Sequence, residues 1–212
     1  AYGYAAVGVV RETGKQVDKS LRDKLVFAFQ PHTSHFILHL SSLILIPDSL
    51  SPECACFLPN METAVNLVQD GAPILGERVI VFGQGVVGLL TASLLGKFPI
   101  ECLVTADCYE LRRDALNVER STFNVQHFLS LDPDAIDFRS GLSGYAQDGF
   151  DLTFELSGNP TALNDAIALT RFSVGIPLVH QGPRDDALRV VGRASTIVQG
   201  QEFVGLRICR GN

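Results

Sequence analysis

Eighteen consecutive residues, Val79 to Gly96, carry no charged side chain, and what stands among them decides what the chain can fold into. A run of that length reaches the threshold for a transmembrane helix. Four glycines, Gly83, Gly85, Gly88 and Gly96, interrupt it. The leading residues Val79-Ile80-Val81-Phe82 are β-branched and aromatic, the composition of a parallel strand buried on both faces. Strand, tight turn and apolar helix explain the run better than a membrane span.

The pattern continues by alternation. A strand at 79–82 is followed by a helix at 86–97, a strand at 102–106, a helix at 109–118 and a weak strand near 125–129. Residues 130–149 read as irregular, and then come a strand at 151–156, a helix at 161–170 and a strand at 176–180. Alternation of this kind implies an α/β fold with a parallel sheet covered on both faces. Pro177 lies in the last of these strands, where a missing N–H is tolerated at an edge or at the strand's start.

Upstream, Tyr4–Val10 and Leu25–Phe29 read as strands around Arg11–Lys24, where eight of fourteen residues are charged and the connection is solvated. The apolar stretch His35–Ile46 reads as a strand pair or an extended crossover, broken by Pro47-Asp48. Ser51 as N-cap, Pro52 at the first helical position and Glu53 in the first turn begin a helix running toward Gln69, with a break expected at Pro59. From Pro183 onward there are two candidate strands, Leu188–Val191 and Glu202–Cys209, and no motif.

Composition narrows the partners. A chain of 212 residues fits one domain or one and a half, and one of this size buries roughly 70% of its unfolded surface without disulfides or metal. With 17 basic and 23 acidic side chains, a net charge of −6 and no run of like charges, it offers no groove for nucleic acid and no basic face for a membrane. A small molecule is the expected partner. The five cysteines, Cys54, Cys56, Cys102, Cys108 and Cys209, are odd in number and scattered, which suits a reducing compartment and points to the cytoplasm. No secretory leader is visible, and the chain opens on Ala1 rather than Met, which leaves room for a missing N-terminal stretch.

Gly83-Gln84-Gly85-Val86-Val87-Gly88 is a G-x-G-x-x-G sequence placed after a buried strand and at the opening of an apolar helix. In that context the first glycine permits the tight turn, the second lets backbone approach a pyrophosphate, and the third lets helix and strand pack closely. The free N–H groups at the helix start face the anion. The next strand ends at Asp107, nineteen residues beyond Gly88, near the spacing of about 20 for an acid that accepts the adenosine ribose hydroxyls. A carboxylate there repels a 2′-phosphate, so NAD is expected over NADP, although Arg112 and Arg113 keep NADP open. Asp107 can also be read as a helix N-cap. A methyltransferase binding S-adenosylmethionine uses a similar turn and acid, but has no diphosphate for the full motif to cradle.

With these elements in view, the sequence resembles the zinc-type alcohol dehydrogenase group of the medium-chain dehydrogenase/reductase superfamily over about residues 3–182. The resemblance rests on Gly3-Tyr4-Ala5-Ala6-Val7-Gly8-Val9-Val10, Arg22-Asp23-Lys24-Leu25-Val26, Leu58-Pro59-Asn60-Met61-Glu62-Thr63-Ala64, the Gly83–Gly88 turn and Phe154-Glu155-Leu156-Ser157-Gly158, in that order. It implies a partial GroES-like β domain over 1–47, a Rossmann-type doubly wound domain over 48–182 and a C-terminal segment over 183–212. It further implies that Thr63 lies beside the nicotinamide, that Leu156, Ser157 and His180 line the crevice, and that Arg112 lies against the adenosine ribose beside Asp107. The implied activity is NAD(P)-dependent hydride transfer involving an alcohol, aldehyde or ketone. The family's dimers pair the last strand across a two-fold axis.

The sequence departs from the family at the metal. Pro59 stands where the resemblance places the third zinc ligand, the first two ligands are not among these residues, and the cysteine-rich lobe is absent, so no zinc is expected. Cys54-Ala55-Cys56 has poor spacing for a tetrahedral site and reads as a pair of buried helix cysteines. His32, His35 and His39 fall in a stretch read as extended, where His32 points away from the other two; His32 remains a candidate proton donor. No residue announces itself as the group that stabilises a developing oxyanion. Two rivals therefore stand beside the enzyme: a non-catalytic sensor or scaffold that binds the dinucleotide, and a truncated product without function.

Overall fold

The computed structural model describes residues 3–118, 120–175, 196–198 and 201–203. The chain packs as two compact units, Ala1–Pro59 and Asn60 onward.

In the first unit, β1 (Ala6–Val9), β2 (Leu25–Ala28) and β3 (Ile44–Leu45) form an antiparallel sheet in the order β1-β2-β3. Val7 lies opposite Phe27, and Phe27 opposite Ile44. Phe27, Ile46 and Ala55 make the buried core, with Ala5, Val7 and Leu25 against it. The charged connection after β1 is largely exposed and holds one short 3-10 turn, Lys19–Leu21. The expected strand pair in 35–46 reduces to β3, because a 3-10 turn at Leu40–Ser42 interrupts it. The His39 ring nitrogen caps that turn by accepting from the Ser41 N–H. Helix α1 (Pro52–Ala55) starts as its sequence demands, the Ser51 hydroxyl accepting from the Cys54 N–H at 3.2 Å. The helix break falls before Pro59 rather than at it. Helix α2 (Leu58–Gly71) carries Pro59 in its first turn, where a missing N–H costs no intrahelical bond.

In the second unit, β4 (Arg78–Phe82), β5 (Cys102–Ala106), β6 (His127–Leu131), β7 (Phe150–Glu155) and β8 (Thr170–Gly175) form a parallel sheet in the order β6-β5-β4-β7-β8. The connections run through α3 (Val86–Leu95), α4 (Glu110–Ala115), α5 (Phe138–Leu142) and α6 (Pro160–Leu169). Two apolar clusters, one on each face, cover the strands. Val79, Val81, Leu103 and Phe154 join Ala92 and Leu95 in one, and Ile80, Phe82, Val104 and Phe150 join Phe138, Leu142 and Ala166 in the other. Strand order reverses between β4 and β7, which creates the crevice at the strands' carboxyl ends where ligands of open α/β sheets bind.

Several boundaries move. Helix α5 interrupts the stretch expected to be irregular, its Phe138 and Leu142 buried. Among the described residues the sheet's last strand is Thr170–Gly175, directly after α6, where no strand is expected; the expected strand at 176–180, with Pro177 and Leu188–Val191, lies outside the described residues. Of the candidate strand 202–209 only Glu202 and Phe203 are described, and they pair antiparallel with Ile197 and Thr196. Among the described residues no helix is long and apolar enough to cross a membrane.

Candidate dinucleotide site

The glycine turn joins β4 to α3 at the sheet's carboxyl end. Gly83 has φ +84°, and an added Cβ would stand 2.5 Å from the Ser157 nitrogen, so side chains are excluded by conformation and by space. A Cβ on Gly88 would meet the Gly83 carbonyl oxygen at 1.8 Å, which is why the helix can lie this close to the turn. Gly85 is different: among the described residues nothing lies within 4 Å of the position its Cβ would take. As N-cap of α3 it offers no side-chain acceptor to the helix's first N–H groups. Among the described residues, the turn therefore leaves the first N–H groups of α3 without a side-chain cap, at the positive end of a helix dipole, which fits a pyrophosphate.

Asp107 directly follows β5 and is 6% exposed. Its Oδ2 accepts from the Gln84 N–H at 2.7 Å and its Oδ1 from the Tyr109 N–H at 2.9 Å. It is not the N-cap of α4, since Tyr109 occupies that position without a side-chain bond. The carboxylate ties the glycine turn to the second strand's end. Arg112 Nη1 lies 3.6 Å from Asp107 Oδ2, with its guanidinium 4.7 Å over the Tyr109 ring. Arg113 turns away, donating to the Asp107 carbonyl at 2.8 Å and pairing with Asp132 at 3.2 Å.

On the other side of the crevice, the Leu156 N–H donates to the Phe82 carbonyl at 2.8 Å, which holds the end of β7 beside the turn. Ser157 donates its N–H to Glu155 Oε1 at 2.7 Å and its hydroxyl to the same oxygen. The buried Gln84 side chain donates to the Val81 and Gly83 carbonyls at 3.1 and 3.2 Å. Gly83, Gln84, Gly85, Val86, Val87, Gly88, Asp107, Arg112, Leu156 and Ser157 are thus gathered at one end of one sheet. Thr63 stands half-buried on α2, and His180 lies outside the described residues. Sequence reasoning gives Glu155 no role; its signal is a second carboxylate, after Asp151, at the end of a largely buried strand.

The zinc donor set does not fit. Pro59 has no donor atom, Cys54 and Cys56 are exposed rather than buried as expected, and His39 and His35 are each hydrogen-bonded to neighbouring serines. Among the described residues no three His, Cys, Asp or Glu side chains are placed to share a metal ion.

Sheet order, turn and acid define a Rossmann-type nucleotide-binding domain. No family model matches the chain. In sequence it is 26% identical over 177 residues to sorbitol dehydrogenase of Bacillus subtilis, an alignment covering 76% of this chain and 48% of that protein. In fold it is similar to alcohol dehydrogenase TADH from Thermus sp. ATN1, with TM-score 0.63 at 18% identity over 89% of this chain and 64% of that one. It is also similar to an alcohol dehydrogenase of Escherichia coli CFT073 solved with NADH, with TM-score 0.59 at 16% identity over 77% and 56% of the two chains. These likenesses bear out the resemblance to the medium-chain dehydrogenase/reductase superfamily. The chain spans about half the length of the sorbitol dehydrogenase it matches.

Proposed function

We propose that the chain binds a nicotinamide dinucleotide across the carboxyl ends of β4, β5 and β7, and that the protein it represents is an NAD(P)-dependent oxidoreductase acting on an alcohol, aldehyde or ketone. The observation that carries the reading is Asp107: a buried carboxylate, bonded to the glycine turn and facing the strand end where an adenosine ribose would sit. Val86 and Val87 would offer their N–H groups to the pyrophosphate, Thr63 would stand beside the nicotinamide, and Leu156, Ser157 and His180 would line the crevice.

NAD is preferred to NADP in this reading. A 2′-phosphate would meet the Asp107 charge, and of the two arginines, Arg113 is engaged with Asp132. The nicotinamide supplies the hydride chemistry when bound; the protein's own groups orient it. Pro59, at the position the resemblance gives to a zinc ligand, brings no donor atom. That same gap favours a second reading, a dinucleotide-binding sensor or scaffold derived from such an enzyme. Free thiols at Cys54, Cys56 and Cys108 support a cytoplasmic setting, and pairing through the sheet edge beyond β7 would give a homodimer.

Calorimetric titration with NADH and with NADPH, repeated on Asp107→Ala, tests the proposal. Micromolar NADH binding that the substitution weakens, with weaker NADPH binding, is expected. Failure of both dinucleotides to bind would overturn it. If NADH binds, a screen of alcohols and ketones separates enzyme from sensor.

A further inference from the structure

At the end of β7 a carboxylate is buried without a cation. Glu155 is 6% exposed, among the described residues no Lys or Arg pairs with it, and the hydrogen bonds it accepts fall on Oε1. Taking a charge out of water in this way is costly unless hydrogen bonds compensate. Both bonds that do so come from one residue, the N–H and the hydroxyl of Ser157. The Ser157 oxygen in turn accepts from the Asn159 N–H at 3.0 Å, so the whole β7–α6 turn is drawn onto this carboxylate.

That turn is the wall against which the glycine turn is built. The atoms nearest to where a Gly83 Cβ would stand are the nitrogen and Cα of Ser157 and the carbonyl carbon of Leu156, at 2.5, 2.6 and 2.7 Å. The Gly83 carbonyl in turn sets how close α3 can come, through Gly88. We propose that Glu155 is a positioning residue for the dinucleotide: acting through Ser157, its carboxylate fixes the β7–α6 turn against Gly83 and thereby sets the height of the donors at the start of α3. The inference rests on the dinucleotide reading above and adds to it a residue that touches no cofactor atom.

The experiment is NADH titration of the full chain in four variants beside the parent. Glu155→Ala should weaken NADH binding at least about tenfold, as expected for loss of two charge-assisted bonds. Glu155→Gln, which keeps an acceptor oxygen at the same reach, should stay within about threefold of the parent. Glu155→Asp, one methylene shorter, should fall between them and stands in for Glu155→Ala should that variant not fold. The control is Thr170→Val, which breaks the 2.7 Å hydroxyl bond to Thr153, two residues before Glu155 on the same face of β7. It should lower the melting temperature and leave NADH affinity unchanged. Parent-like affinity in Glu155→Ala, or in Glu155→Asp where that variant stands in for it, would overturn the positioning role, and so would a loss in Thr170→Val equal to that in Glu155→Ala. If the parent itself binds neither dinucleotide, the dinucleotide reading fails first, and that outcome appears before any variant is compared.

Discussion

The two units close their cores differently. In the second, every residue of β5 is buried and four of the five in β4 are, because helices cover both faces of a parallel sheet. In the first, only the middle strand is well buried. Ile44 and Leu45 of β3 are 47% and 55% exposed, and among the described residues the one α-helix wholly within the unit has four residues. Three short antiparallel strands close a small core around Phe27 and leave apolar surface at the margin, whereas crossover helices come with the connections of a parallel sheet and cover it unavoidably. The candidate site sits on the better-closed unit, where a rigid frame can hold a glycine turn against Ser157.

Substitutions can break that contrast. Phe27→Ala should be the most damaging, about 4 kcal/mol in urea denaturation, since it empties the centre of the smaller core. A cost near 1 kcal/mol would mean that this core carries little of the unit's stability. Gly88→Ala comes next, about 3 kcal/mol, because the Cβ would strike backbone rather than a side chain that can swing aside. Stability equal to the parent would show that α3 can lift from the turn without loss.

Asp107→Ala should cost about 2 kcal/mol in the same assay, through the two N–H groups it leaves unpaired at Gln84 and Tyr109. The buried Cys102 thiol sharpens the picture of the larger core. Burial first, then Glu101, raises its pKa from 9.0 to about 12, with Arg78 opposing. A group raised on folding stabilises fully below its unfolded value, so this contribution holds up to about pH 9 and is lost as pH rises toward 12. Urea midpoints of the parent should fall over that window more steeply than those of Cys102→Ala. The smallest effect belongs to Ile44→Thr at the open margin, within about 0.5 kcal/mol; a cost like that of Phe27→Ala would show that the margin is covered.

Much of the second unit is legible in the sequence. The strand Cys102–Ala106 was placed to the residue, and β4, α3, β7 and α6 within about two, because apolar β-branched runs bounded by glycine or proline allow few alternatives. The last strand was not. Thr170 follows α6 without a loop, and neither a glycine nor a proline marks the change of period. In the first unit, His35–Ile46 has strand composition but little strand, since Leu40–Ser42 is capped locally by His39. Cys54 and Cys56 looked like core residues and are exposed, because a four-residue helix has too short a buried face to hold both.

By itself the sequence determined the elements of the site that depend on local backbone freedom and spacing: three glycines where a side chain would clash or obstruct, and an acid at the end of the second strand. Only the tertiary structure decided what those elements lean on. Asp107 is bonded to Gln84, and the Leu156 N–H to the Phe82 carbonyl, pairings between strand ends that are neighbours in the sheet and distant in the chain. Local patterns report conformation, whereas the partner of a buried carboxylate is set by strand order and register, which no single segment encodes.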